Sequence, residues 1–424
     1  MFATVKQIFN PKNKDLKKKI LFTFLVLFLF KLGTAIIVPG VDINALDTSK
    51  LGFLGLINAM GGGAMEKFSI LALGVMPYIT ASIVIQLLQM DIIPYLAELS
   101  KQGHTGRAKL NQITRVVGIV LAFFQGYLMS FAFIKNGSAL DYMEFATILT
   151  AGTAFLLWLG DQITAKGIGN GISLIIMAGI ISSLPTMFVE AYQGLVVFGT
   201  VQQTLLGIIK FVLFVALYIG VIVGVIYEEC AERRIPIQYA NKSTNSVKGN
   251  QNYIPFKLNS AGVIPVIFAS ALISIPGLIA QFAKSEGIAL FVNKYLTYTT
   301  PTGFILYILL IIVFAYFYTF LQLKPKELAE NLQKNGGFIP GVRPGAETVQ
   351  YVSKVLKRIT LAGAIFLAII AALPILFGMF SGLPTSVTIG GTGLLIVVGV
   401  ALETYKQIES QVSTRTYSKG RKRR

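Results

Sequence analysis

Apolar runs of about twenty residues recur along the whole chain, and they constrain its fold more than any other feature. Only helices and closed barrels satisfy their backbone polar groups inside a bilayer, and a helix needs about 20 residues to cross it. The pattern predicts an all-α membrane protein with ten transmembrane helices. We number these predicted spans 1 to 10, and they are residues 20–38, 68–90, 116–134, 143–160, 171–189, 205–227, 261–282, 302–323, 359–380 and 387–402.

Basic residues are unevenly distributed between the loops that join these spans. When alternate loops are assigned to opposite sides, most of the 37 Lys and Arg residues share a side with the N-terminus. Because Lys and Arg are enriched in cytoplasmic loops, this asymmetry predicts that both termini are cytoplasmic. Two long basic loops, residues 228–257 and 324–358, and the basic tail, residues 404–424, fall on the same side.

Span 1 follows a run of lysines, as the apolar core of a signal peptide does. It is longer than such a core, however, and it ends in VPGVD, which offers no small-residue cleavage site. We therefore expect span 1 to be retained as the first transmembrane helix.

Spans 2 and 7 contain the same motif. Residues 74–82 read GVMPYITAS and residues 262–270 read GVIPVIFAS, so both follow the pattern G-V-[M/I]-P-x-I-x-A-S. These spans hold equivalent positions in two groups of five, and because five is odd the second group enters the membrane from the opposite face. The motif predicts an inverted repeat, with an N-terminal half at residues 1–190, a C-terminal half at residues 191–403 and a central site between them.

A short apolar segment precedes span 2. Residues 52–63 read GFLGLINAMGGG, which is about half of the length that a crossing helix needs. Each of Gly61, Gly62 and Gly63 costs a helix about 1 kcal/mol relative to Ala, so we expect a break at these glycines. A helix on the membrane surface and a non-spanning helix inside the protein are both compatible with this pattern.

The chain has few groups that could perform chemistry. His104 and Cys230 are the only residues of their types, which leaves no material for a metal site or a disulfide and little for acid–base catalysis. No Asp or Glu lies well inside a span, whereas ion-coupled carriers usually have such groups. Lys31 and Lys210 do lie inside spans, and each either reaches toward the interface or contacts a buried polar group. The sequence predicts no cofactor, no metal and no enzyme activity.

Two functions from different classes remain. One is a channel with apolar constrictions, and the other is a secondary transporter of a small solute, because inverted five-helix repeats also occur in transporters. The missing buried acids and the large basic loops favour the channel. The loops either bind a large acidic partner or contact anionic lipid.

The chain resembles the SecY/Sec61-alpha family of protein-conducting channels, in its bacterial form, over essentially its whole length. In one string of the resemblance Asp161 and Lys166 stand where the family more often has Glu and Arg, so charge is preserved. The strings that carry the resemblance are FSILALGVMPYITASIVIQLL (68–88), WLGDQITAKGIGNGIS (158–173), LNSAGVIPVIFAS (258–270), FIPGVRPG (338–345) and GGTGLLIVV (390–398).

The resemblance implies two five-helix halves that form a clamshell around an hourglass-shaped pore. Residues 52–67 would be a plug half-helix in the outer funnel, and Gly61, Gly62 and Gly63 would be its hinge. The gap between spans 2 and 3 and spans 7 and 8 would be a lateral gate. The apolar pore ring would consist of Val75, Ile79, Ile172, Ile176, Ile267 and Ile396.

The resemblance also implies partners. Arg233 and Arg234 in ERRIP and Arg343 in GVRPG match the cytoplasmic loop tips that engage the SecA ATPase or the ribosome. SecE would brace the two halves, SecG would lie at the periphery, and signal peptides and unfolded preproteins would pass through a bacterial plasma membrane. The sequence has no ATPase motif, so a partner would supply the energy.

Overall fold

The computed structural model describes residues 14–39, 58, 61–65, 67–90, 92–134, 137–196, 200–239, 252–282, 286–297, 300–381 and 385–421. These residues form thirteen helices: α1 (Lys14–Gly33), α2 (Met76–Leu88), α3 (Pro94–Lys101), α4 (Gly103–Phe133), α5 (Ala139–Lys166), α6 (Gly171–Leu195), α7 (Val201–Cys230), α8 (Ile264–Phe282), α9 (Glu286–Tyr295), α10 (Pro301–Leu323), α11 (Pro325–Lys334), α12 (Ala346–Ser381) and α13 (Thr385–Arg421). They also form four short strands: β1 (Glu232–Pro236), β2 (Gln238–Tyr239), β3 (Tyr253–Lys257) and β4 (Gly337–Phe338).

Each of the ten predicted spans coincides with a helix, in the order α1, α2, α4, α5, α6, α7, α8, α10, α12 and α13. Among the described residues, six of these helices are long and apolar enough to cross a membrane, namely α4, α5, α6, α7, α10 and α12. The apolar parts of α2 and α8 are shorter. The prediction of an all-α multi-span membrane protein is confirmed.

The bounds of spans 1 and 2 were predicted wrongly. Helix α1 ends at Gly33 instead of residue 38, and α2 begins at Met76 instead of residue 68. Gly74 has a φ of +58°, a left-handed conformation that cannot continue a helix, and so the helix starts only after it. Residues 34–38 and 68–75 instead form turns and a β-bridge between Ile37 and Ser69, and hydrophobicity alone does not distinguish such segments from a helix.

The helices pack in a pattern that repeats between the two groups of five. In the first group the packed pairs are α2–α4, α4–α5, α5–α6, α1–α5 and α1–α6. In the second group the pairs at the equivalent positions are α8–α10, α10–α12, α12–α13, α7–α12 and α7–α13. The repeat seen in two nine-residue motifs therefore extends to the packing of all ten helices, as an inverted repeat requires.

The shared motif has the same local geometry in both halves. Gly74 has a φ of +58° and Gly262 a φ of +62°, and in each case a helix begins two residues later, at Met76 and Ile264. A glycine adopts such a positive φ without the steric cost that other residues incur. The two glycines of the motif therefore set the start of α2 and of α8.

The two groups of helices meet through α2–α8, α6–α13 and α6–α7. One large apolar cluster spans this contact and includes residues of α1, α2, α5 and α6 together with residues of α8, α10, α12 and α13. The hydrophobic core is therefore shared between the two groups.

The two long basic loops form a single structure. Strand β1 pairs with β3 inside the first loop, and β2 pairs with β4, which belongs to the second loop. An apolar cluster that includes Ile235, Phe256, Leu332 and Val352 lies between them. We call this structure the loop unit (residues 231–239, 252–258 and 324–358). The sequence indicated two separate loops, because pairing between distant two-residue strands leaves no periodic signal.

Candidate functional site

The six residues predicted to form a pore ring lie in or against the same apolar cluster. Val75, Ile79, Ile176 and Ile396 are buried in it, while Ile172 and Ile267 are partly buried and pack against it. Val75 immediately precedes α2, and the others lie on α2, α6, α8 and α13, which are the helices that connect the two groups through α2–α8 and α6–α13. The structure thus brings branched apolar side chains from both groups together.

The start of α6 is held by specific polar contacts. The Asn170 side chain caps the helix by accepting from the backbone N–H groups of Ile172 and Ser173, at 3.2 and 3.4 Å. The Thr164 hydroxyl accepts from the N–H of Gly171 at 2.9 Å. A Cβ on Gly171 would overlap the carbonyl oxygen of Gly160 in α5. Glycine is therefore required where α5 and α6 approach each other.

This close approach also affects Ile172. A Cβ built on Gly160 would lie 3.0 Å from Cγ1 of Ile172, so part of this side chain faces α5. Ile176, one turn later, is buried in the central cluster instead. The two ring candidates on α6 therefore have different surroundings.

The three glycines before α2 form the end of a helical turn. Asn58 is helical, Gly62 has a φ of +71°, and the N–H of Gly63 donates to the carbonyl of Asn58 at 2.9 Å. This is the hydrogen bond of a Schellman motif, which ends helices at a left-handed glycine. The break predicted at these glycines is present. Most of the predicted plug, residues 52–57, 59, 60 and 66, lies outside the described residues.

The glycine turn is seated on α6. A Cβ on Gly62 would lie 3.2 Å from Cα of Gly179 and 3.5 Å from Cβ of Ser182, both in α6. The ammonium of Lys31, in the last turn of α1, donates to the carbonyl of Gly62 at 3.3 Å. Lys31 therefore contacts a polar group of the protein, which was one of the two alternatives that the sequence left open.

The segments on either side of residues 39–67 are tied to each other. The N–H of Val38 donates to the carbonyl of Phe68 at 2.8 Å, and the N–H of Ile70 donates to the carbonyl of Ile36 at 3.0 Å. The buried Ser69 hydroxyl donates to the carbonyl of Gly33 at 2.9 Å. We call residues 33–38 and 68–70, which these hydrogen bonds join, the fixed base. The chain leaves α1 and returns toward α2 through it.

The predicted contact residues Arg233 and Arg234 lie on β1 of the loop unit and are exposed. The guanidinium of Arg234 pairs with Glu232 at 2.6 Å and lies over the ring of Tyr253, 4.8 Å from its centroid. The hydrogen bond to Glu232 raises the pKa of Arg234 above its ordinary value. Arg234 is therefore held along the strand, and Arg233 is exposed beside it on β1.

Arg343 lies in the other half of the loop unit, just before α12. Its N–H donates to the Glu347 carboxylate at 3.3 Å, and its carbonyl accepts from the Thr348 hydroxyl at 2.9 Å. The residue itself is exposed. The backbone of this turn is fixed by the first turn of α12, and it presents the guanidinium to solvent.

Sequence reasoning missed two buried acids at the end of α7. It assigned Glu228 and Glu229 to interfacial or capping positions, but both residues are buried. The ammonium of Lys406, on α13, donates to the carbonyl of Glu229 at 3.1 Å, and that of Lys257 lies 4.0 Å from its carboxylate. Glu229 therefore helps to join α7, α13 and the loop unit. Spacing along one helix does not reveal such burial.

Comparisons with known proteins agree with this geometry. A family model described as SecY matches residues 69–405. The protein translocase subunit SecY of Halalkalibacterium halodurans is 48% identical to this chain, covering 98% of this chain and 99% of that protein. The same subunit of Bacillus licheniformis is 49% identical with the same coverage. The chain belongs to the SecY family.

Solved structures show the same fold. A protein-conducting channel structure aligns with a TM-score of 0.64 at 22% identity, covering 93% of this chain and 92% of that chain. A SecY structure described in terms of a plug domain that stabilises the closed state aligns with a TM-score of 0.62 at 21% identity, covering 93% of this chain and 92% of that chain. Canine Sec61 in a ribosome–channel complex aligns with 0.62 at 22% identity, over 93% and 92%. SecY membership identifies this chain as a translocase subunit and favours the channel over the small-solute transporter.

Proposed function

We propose that this chain is the pore-forming subunit of a bacterial protein translocase. It conducts unfolded secretory proteins across the plasma membrane and releases membrane-protein segments sideways into the lipid. The observation that carries this proposal is the apolar cluster in which residues of α2 and α6 meet residues of α8 and α13. Branched apolar side chains offer no fixed hydrogen-bond pattern, so they can close around a chain of any sequence while excluding water and ions.

The pore ring consists of Val75, Ile79, Ile172, Ile176, Ile267 and Ile396 in this proposal. All six belong to the cluster or pack against it, which supports the assignment. Ile176 and Ile396 are the most suitable to form the constriction, because they are buried and lie on the two helices of the packed pair α6–α13.

The lateral gate lies between α2 and α4 on one side and α8 and α10 on the other. The packing of α2 against α8 supports this location, because separating this one pair would open a path from the central cluster toward the lipid. The contact corresponds to a closed gate. A signal sequence that inserts between α2 and α8 would replace an apolar helix contact with another of the same kind.

Residues 52–67 act as the plug, and Gly61, Gly62 and Gly63 act as its hinge. The fixed base formed by residues 33–38 and 68–70 supports this role, since it confines any movement to the segment between them. The positive φ angles of Gly62 and Gly63, +71° and +79°, support it further, because glycine changes between backbone conformations at low cost.

The loop unit binds the partner that supplies energy, which is the SecA ATPase or the ribosome. Arg233, Arg234 and Arg343 support this role because they are exposed on one folded unit. Arg contacts to RNA phosphates release counterions and so favour binding to rRNA. A canine relative is described in a ribosome–channel complex. SecE and SecG would complete the complex, and both termini would be cytoplasmic.

Reconstitution tests the proposal directly. The chain and its SecE partner are placed in liposomes, SecA, ATP and a fluorescent preprotein are added, and protease-protected preprotein is measured. ATP-dependent protection that is absent from liposomes lacking the chain is the expected result. If a well-folded complex protects no preprotein, the proposal is wrong, and uptake of small solutes becomes the next measurement.

A further inference from the structure

Lys31 is an unusual residue for its position. It lies inside the first predicted span, in the last turn of α1, where a charged side chain is costly unless it has a partner. Its ammonium donates to the carbonyl of Gly62 at 3.3 Å. The Thr34 hydroxyl donates to the carbonyl of Lys31 at 2.7 Å and fixes the end of the helix. The lysine is thus mounted on a rigid element.

The acceptor of this hydrogen bond is at the centre of the glycine turn. Gly62 occupies the left-handed position of the Schellman motif and packs tightly against α6, because a Cβ at this position would lie 3.2 Å from Cα of Gly179. Helix α1 packs on both α5 and α6, so the lysine and the seat of the turn belong to the same rigid group of helices. The hydrogen bond therefore acts between that group and the turn.

A movement of the glycine turn would break different contacts from those that join residues 33–38 to residues 68–70. Residues 33–38 and 68–70 are joined by three hydrogen bonds that no movement of the segment between them needs to break. The contacts of Gly62 with Lys31 and Gly179 must break if the turn leaves α6. Burial of Ala64 and Met65 in the central apolar cluster also holds this segment, and the hydrogen bond from Lys31 adds a polar contact between α1 and the turn.

We propose that Lys31 is a positioning residue for the plug, whose hydrogen bond to the Gly62 carbonyl holds the glycine turn on α6 in the closed channel. The inference rests on the proposed function, because it assigns a task to the plug. A charge-assisted hydrogen bond is stronger than one between neutral groups, and its loss leaves a carbonyl without its donor. Removing the ammonium shifts the channel toward plug-displaced states.

The first experiment replaces the donor. Lys31→Met keeps the length and apolar stem of the side chain, Lys31→Arg keeps a donor and a charge, and Lys210→Met removes the other lysine that lies inside a span. Each variant is reconstituted with SecE, and ion leak is measured without substrate. Hydrogen bonds to charged groups contribute enough that we expect leak to rise about tenfold in Lys31→Met. Lys31→Arg and Lys210→Met should match the original chain.

The second experiment reports the position of the turn. A Cβ on Gly62 would lie 3.5 Å from Cβ of Ser182, which is within the range of about 3.5–4.5 Å for a disulfide. Gly62→Cys and Ser182→Cys are combined in a Cys230→Ser background, and the rate of disulfide formation is compared with Lys31 and with Met at position 31. We expect slower cross-linking in the Met variant. Equal rates together with unchanged leak would overturn the inference.

The outcomes also separate this inference from the proposed function. If the original chain protects preprotein but Lys31→Met leaks and cross-links as the original does, only the role of Lys31 is wrong. If the original chain protects no preprotein, the proposed function is wrong. Lys31→Gln, whose shorter side chain does not reach the carbonyl, provides a second variant if Lys31→Met fails to fold, and it should show the same rise in leak.

Discussion

Replacing Ile176 with Asn should open the channel. Ile176 is buried in the central apolar cluster, with 4% of its surface exposed. Removing its side chain from the closed state forfeits about 1.5–3 kcal/mol of apolar burial. An amide buried there without a partner costs about 1–3 kcal/mol more. In the open channel the same amide faces water, and most of this cost disappears.

The population of open channels should rise accordingly. If about 2 kcal/mol of the cost is specific to the closed state, the ratio of open to closed channels rises roughly thirtyfold. We expect two measurable effects: export of a preprotein with a defective signal sequence, and ion leak without substrate. Ile176→Val is the control, because it removes one methylene without adding a polar group and should retain normal stringency.

Ile172 provides a contrast on the same helix. Its Cγ1 lies against the Gly160 position of α5, so an Asn at this position weakens helix packing as well as the ring. We expect Ile172→Asn to lower the yield of folded protein more than Ile176→Asn and to increase leak less. The reasoning is refuted if Ile176→Asn folds with an unchanged thermal midpoint and yet shows neither leak nor relaxed signal stringency.

Three other substitutions follow from the structure. Arg343→Glu should block ATP-dependent translocation, while the protein still inserts and keeps its thermal midpoint. Arg343→Lys should retain part of the activity. A lower midpoint for both variants would indicate a structural role. Gly171→Ala should lower the thermal midpoint in detergent, because its Cβ would overlap the Gly160 carbonyl and overpacking destabilises the fold by about 1–3 kcal/mol. Glu228→Gln should raise the midpoint, and more at about pH 9 than at about pH 6, because burial and the neighbouring Glu229 raise the pKa of Glu228 to about 8 and glutamine does not ionise. A fall at both pH values would show that the carboxyl group supports the fold.

The sequence was most informative where one local pattern determines structure. All ten spans coincide with helices because a continuous apolar run has few other stable forms in a bilayer. The shared motif around Gly74 and Gly262 identified the repeat, since the same backbone geometry at a helix start requires glycine in both halves. The helix break at Gly61 to Gly63 followed from the low helix propensity of glycine.

Contacts between distant segments were not predictable in this way. The antiparallel pairing near Ile37 and Ser69 joins two apolar segments that were both expected to be helical. The pairing of β2 with β4 joins loops about a hundred residues apart. The partner of Lys31 and the burial of Glu228 also depend on which helices become neighbours. No periodicity within one segment records this information.

Both barriers of the proposed channel depend on residues of α6. Ile176 belongs to the ring, and Gly179, the seat of the glycine turn, follows three residues later on the same face of the helix, about 4.5 Å along its axis. Ile180 packs on Gly393 of α13, which holds this part of α6 against the other half. A chain that separates α13 from α6 would therefore disturb the ring and the plug seat together. In the proposed channel, opening of the constriction and release of the plug are therefore coupled, because residues of one helix turn contribute to both.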